Sequence, residues 1–126
     1  MGMLNHIEQD KQLFTFLQGI QAKYPFEREF FATDEEFVSS HLLCDALDVF
    51  FKKSSLKLPK QLKALDIGAG PWHYAPALYS FLSNYQGSNE ANLEGIDIQG
   101  KHYEKEIRQR INSPHIHYHS KDIFAM

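Results

Sequence analysis

The chain has 126 residues, enough for one domain, and its 43% apolar and 23% charged residues place it far from a disordered segment. A formal net charge of −3 gives no overall basic field to hold nucleic acid through its phosphates, and the lysines that crowd one region (Lys52, Lys53, Lys57, Lys60, Lys63) read as a solvated face, with a local nucleic-acid contact as the alternative. No run approaches the ~18 uninterrupted apolar residues of a membrane span, "MGMLNHIEQD" lacks the order of a signal peptide, and the single cysteine, Cys44, excludes an internal disulfide, so the expectation is a soluble cytoplasmic protein.

Residues 4–23 carry Leu4, Ile7, Leu13, Phe14, Leu17 and Ile20 at spacings mostly of three or four, which predicts an amphipathic helix. Pro25 pushes Tyr24 out of helical geometry and ends it. In "ATDEEF", Thr33 followed three residues later by Glu36 is a capping-box signature. Asp34, Glu35 and Glu36 suit the positive end of a helix dipole. A second helix is therefore predicted over 34–53, burying Phe37, Val38, His41, Leu42, Ala46, Val49 and Phe50. Cys44 falls inside this pattern, as a buried structural thiol would.

After Pro59 the rhythm changes. "LKALDIG" is a short apolar run ended by glycine, as a buried parallel strand would be. "YAPALYSFLSNY" reads as a helix with Pro76 in its first turn. A polar loop, "QGSNEAN", precedes a second strand, "LEGIDI". "GKHYEKEIRQRI" then predicts a helix with Tyr103, Ile107 and Ile111 on one face, and a third strand is expected over 115–119. The second half thus reads β-α-β-α-β, an alternation that argues for parallel strands with right-handed helical crossovers. His115, His117 and His119 would share one strand face about 7 Å apart, from a rise of roughly 3.3 Å per residue, too wide for one ion, so no metal site is expected.

Between the first strand and its helix lies "ALDIGAGPW", residues 64–72. Gly68 and Gly70 would let the backbone approach a ligand closely, at a helix start with unpaired N–H groups. The dinucleotide fingerprint Gly-x-Gly-x-x-Gly fails, because its last position is His73. Asp97, one strand later, stands where a carboxylate takes ribose hydroxyls.

This stretch resembles motif I of the class I S-adenosyl-L-methionine-dependent methyltransferases: an acid, Asp66, then Gly68 and Gly70, with Trp72 where the third glycine stands. "LEGIDIQ" resembles the second-strand motif, with Asp97 as the ribose acid and Ile98 beside it. "HSKDIF" resembles the motif after strand 3, with Asp122 and Ile123 at the adenine. The resemblance covers about residues 60–126 and divides the chain into a helical segment, 1–58, and the cofactor-binding half of a methyltransferase-like domain, 59–126. It implies a three-layer Rossmann-like α/β fold, strand order 3-2-1, truncated relative to the family's seven-stranded sheet, and a methyl transfer to an acceptor that the sequence does not identify.

The cofactor-binding set it implies is Asp66, Gly68, Gly70, Trp72, His73, Asp97, Ile98, Asp122 and Ile123. No catalytic residue is legible, because the family's fourth-strand motif falls beyond Met126. The Trp72 ring either turns away from the cofactor or fills part of the methionine pocket, and Pro71, with φ near −65°, favours the first. An open edge at the first strand would suit a homo-oligomer. The alternative is a non-catalytic module that uses that edge for binding or assembly.

Overall fold

In the computed structural model, described for residues 11–16, 18–19, 22–24, 26, 31, 33–87 and 89–125, helices alternate with a three-stranded parallel sheet. The order is α1 (Asp34–Lys53), β1 (Gln61–Ile67), α2 (Ala75–Asn84), β2 (Glu90–Asp97), a 3-10 turn (Gly100–His102), α3 (Glu104–Arg110), β3 (Ile116–Ser120) and a second 3-10 turn (Ile123–Ala125). Residues 11–16, 18–19 and 22–23 are helical; Leu4, Ile7, Leu17, Ile20 and Pro25 of the expected first helix and its break lie outside the described residues. Among the described residues no helix is long and apolar enough to cross a membrane.

β2 lies between β1 and β3. Asp66 pairs with Gly95, Ile67 with Ile96, and Asp97 with Ser120, so the three strands end at one level and the loops that follow them gather there. The middle strand begins at Glu90 rather than Leu93. Its first turns alternate exposed Glu90 and Asn92 with buried Ala91 and Leu93, a half-polar pattern that an apolar-run reading takes for loop.

The two sheet faces differ. Leu62, Ala91, Leu93 and Tyr118 are buried, while Lys63, Leu65, Asn92, Glu94 and His117 stand exposed. Right-handed crossovers that step in one direction, β1 to β2 to β3, carry both connecting helices to the same face. That face holds the core, in which Phe81 and Leu82 of α2 and Ile107 of α3 join Leu62 and Leu93. Ile96 shares the parity of Glu94 yet is buried, since at the end of the central strand it joins Ile67, Ile98 and Ile123 around one cleft.

α1 has the bounds its caps specify. The Thr33 hydroxyl accepts from the Glu36 amide at 3.1 Å, and Lys52 and Lys53 close the helix. Its buried stripe meets expectation only in part. His41 and Cys44 face inward as expected, joined by Ser40, Asp48 and Phe51, while Phe37 and Val38 are half-buried and Leu42, Ala46, Val49 and Phe50 are exposed. The helix is turned so that polar groups with partners go inside. Ser40 donates to the Glu36 carbonyl at 2.7 Å, the two His41 ring nitrogens lie 2.7 Å from the Phe37 and Tyr24 carbonyls, and Asp48 takes two lysines. Hydropathy alone does not register such pairing. Cys44 is buried against α2, its Sγ 3.9 Å from the Ala77 carbonyl.

Candidate functional site

The loop after β1 folds back on β2. The Gly68 and Ala69 amides both donate to the Ile96 carbonyl, at 2.8 and 3.1 Å, and the Trp72 amide donates to the Ala69 carbonyl at 3.2 Å. Gly68 and Gly70 have φ of +73° and +60°, values that glycine alone adopts without strain. The Gly70 amide donates to Asp97 Oδ2 at 2.8 Å, and the Gln99 amide to Asp97 Oδ1 at 2.8 Å. Asp97 thus ties the glycine loop to the loop after β2. Each oxygen accepts one amide and keeps a lone pair for a further donor.

Asp66, paired with Gly95 on the same sheet face as Asp97, reaches toward the start of α2. Its Oδ2 accepts from the Trp72 indole N–H at 3.0 Å and from the Tyr74 hydroxyl. Burial first, then this bond to Asp66, raises the Tyr74 pKa above the ordinary phenol range, which keeps the hydroxyl a donor. The Trp72 ring is 1% exposed. It lies over Gly95, where a Cβ would come within 2.7 Å of ring carbons, and 5.7 Å from the Tyr118 ring. The Tyr118 hydroxyl donates to the Gly70 carbonyl at 2.9 Å, so the same aromatic pair supports the loop from below.

His73 is held outside the sheet. Arg110, from the end of α3, reaches its Nδ1 at 2.9 Å and donates to the Pro71 carbonyl at 2.7 Å, while Glu36 lies 3.2 Å from the same nitrogen. Two helices, α1 and α3, therefore meet on the loop through charged or polar groups.

At the strand ends Gly68, Asp97, Ile98, Asp122 and Ile123 line one cleft with Ile67, Ile96 and Lys121, about 190 Å³ in volume. That is shallower than the ~300–1,000 Å³ of a typical small-molecule site. Asp122 accepts from the Phe124 amide at 2.9 Å and is otherwise exposed. The structure thus gathers Gly68, Asp97, Ile98, Asp122 and Ile123, sets Gly70 behind Asp97, and places Asp66, Trp72 and His73 on the helix side of the loop. Three residues missing from the sequence reading support the site: Gly95, Arg110 and Tyr118. Gly95 carries a faint signal, a glycine inside a strand, which marks close approach of another group. The other two act across 37 to 48 positions of sequence, and no local pattern marks them.

His115 lies before β3 and stacks on Tyr79 of α2 at 6.0 Å, leaving the row formed by His117 and His119. Among the described residues no three histidine, cysteine or acidic groups converge as metal ligands.

The chain matches no family model. It matches no curated protein and no solved structure.

Proposed function

We propose that the strand-end cleft binds S-adenosyl-L-methionine and that the chain contributes the cofactor half of a methyltransferase. One observation carries the choice of ligand. The loop amides at Gly68, Ala69, Gly70 and Trp72 are all committed to acceptors within the protein, and Pro71 has none to offer. A dinucleotide needs such amides for its pyrophosphate. S-adenosyl-L-methionine has no phosphate, and its adenosine asks instead for a carboxylate at the ribose and an apolar slot for the base.

Asp97 keeps acceptor capacity at the cleft, Ile98 and Ile123 supply the apolar walls, and Asp122 faces the exocyclic amine. Asp66 and Trp72 act in support, holding the loop from beneath. The buried Trp72 ring leaves the cleft clear. β2 lying between β1 and β3 supports a Rossmann-like order of 3-2-1. The cofactor supplies an electrophilic methyl group, and an in-line approach of the acceptor is chiefly a matter of positioning. A cytoplasmic setting fits the single reduced cysteine.

Calorimetric titration with S-adenosylhomocysteine tests the proposal. Saturable heat is expected, with none for NADH. Asp122→Ala should weaken binding about tenfold, the loss of one to two hydrogen bonds at roughly 1 kcal/mol each, with the circular dichroism unchanged. No heat at millimolar ligand from a folded sample would overturn the proposal.

A further inference from the structure

A larger cavity, about 610 Å³, opens where the C-terminal half of α2 meets α1 and the segment around Tyr24, at the end of α2 away from the glycine loop. Its volume suits a small organic ligand. Four of its lining residues are aromatic: Tyr24, Phe26, Phe81 and Tyr85. Their rings form a continuous array, with Tyr24 edge-on to Phe81 at 5.6 Å, Phe81 tilted to Tyr85 at 5.5 Å, and Tyr24 stacked on Phe26 at 6.1 Å. Such an array offers both faces and edges to a flat partner.

The mouth is polar, with two lysines set against two aspartates. Lys23 and Lys52 both reach Asp48 Oδ2, at 2.7 and 3.0 Å, and Lys23 also reaches Asp45 at 3.2 Å. The Lys52 side chain is 65% exposed and spends one donor on Asp48, which leaves ammonium N–H groups directed to solvent at the mouth. The Tyr24 hydroxyl is buried without a hydrogen bond of good geometry. Burial raises the Tyr24 pKa above the ordinary phenol value, Lys23 only partly offsets this, and the Lys23 ammonium is engaged by the two aspartates. An orphaned hydroxyl of this kind is unfavourable, and a ligand acceptor would relieve it.

We propose that this cavity is a second ligand site, separate from the strand-end cleft, for a planar aromatic molecule with one negative charge, its rings against the aromatic wall and its anionic group on Lys52. The site does not depend on cofactor binding at the cleft.

The test uses 2-naphthoate as probe, with 2-naphthylmethanol and 2-naphthylmethylammonium as neutral and cationic controls, on the full chain with labelled tyrosine rings and backbone amides. Naphthoate should shift the Tyr24 and Tyr85 ring signals saturably, leaving the Gly68 and Gly70 amides in place. Lys52→Gln should weaken naphthoate about two- to fivefold, the range of an exposed ion pair, and leave the alcohol unchanged. Ser80→Leu, which fills the cavity from α2 with a good helix former, should weaken both by about tenfold or more. If Ser80→Leu disturbs the fold, Lys52→Gln carries the test alone. Unmoved tyrosine signals at millimolar naphthoate, shifts at the glycine amides instead, or a cation that binds as tightly as the anion would each overturn the proposal.

Discussion

Trp72 stands with φ of +56°. The backbone there takes the left-handed form that glycine adopts freely and that costs other residues roughly 1–2 kcal/mol. Ring burial and the indole bond to Asp66 offset that cost, so the loop keeps its shape. The ring fits because Gly95 has no side chain. Gly95→Ala should destabilise the protein by about 1–3 kcal/mol, as overpacking of a filled core does, and move the tryptophan emission. Urea titration followed by fluorescence checks this; an unchanged midpoint would mean the ring is not confined. Asp97 shows why one substitution can mislead. Asp97→Ala would free the Gly70 and Gln99 amides as well as remove the proposed ribose partner, so lost binding would not separate the two roles. Asp122, bonded within the chain to the Phe124 amide, gives the cleaner test. At Cys44, burial pushes the thiol up to about 12, which suits a packing residue and not a nucleophile.

Among the elements, α1 shows how pairing overrides hydropathy. Burial pushes the Asp48 carboxyl up, but hydrogen bonds from Lys23 and Lys52 outweigh it and hold the group below the usual carboxylate range. The folded pKa is depressed, so this stabilisation is present above the unfolded value, near 3.9, and is lost as pH falls through the folded one. The wild type should therefore lose stability as pH drops below about 4, and Asp48→Asn should show a shallower acid limb. Urea midpoints measured from pH 3 to about pH 7 decide this, and parallel profiles for the two proteins would refute the assignment. The same helix also delivers Glu36 to His73, so its capped first turn touches the glycine loop.

For the whole molecule, the outcome of two same-direction crossovers is one covered face and one open face. Among the described residues β1 pairs only with β2, and Leu65 and Ile67 beside its outer edge are 49% and 62% exposed. An edge of this kind is a template for another chain. We infer that a second copy covers it in solution. Sedimentation velocity should show a dimer, and Leu65→Lys with Ile67→Lys should return it to a monomer. A wild type that sediments as a monomer at every concentration would refute the pairing.

Much of this architecture was readable before any coordinates. The Thr33 cap, Pro76 at the start of α2, the strand–helix alternation and the positive φ at Gly68 and Gly70 all follow from interactions within a few residues, which leave marks in local sequence. The gathering of Gly68, Asp97, Ile98, Asp122 and Ile123 follows from three parallel strands ending in register. What tertiary structure alone decided was non-local. Which face of α1 goes inside depended on lysine partners for Asp48 and a carbonyl at Tyr24 for His41. The Trp72 ring went under the sheet because Gly95, 23 residues later, left room and Asp66 supplied an acceptor. Arg110 and Tyr118 joined the site because crossover topology carries the end of α3 and the middle of β3 beneath the loop. Local sequence sets backbone form and where elements begin and end; which side chains meet is settled only when distant elements pack and each buried polar group finds its partner.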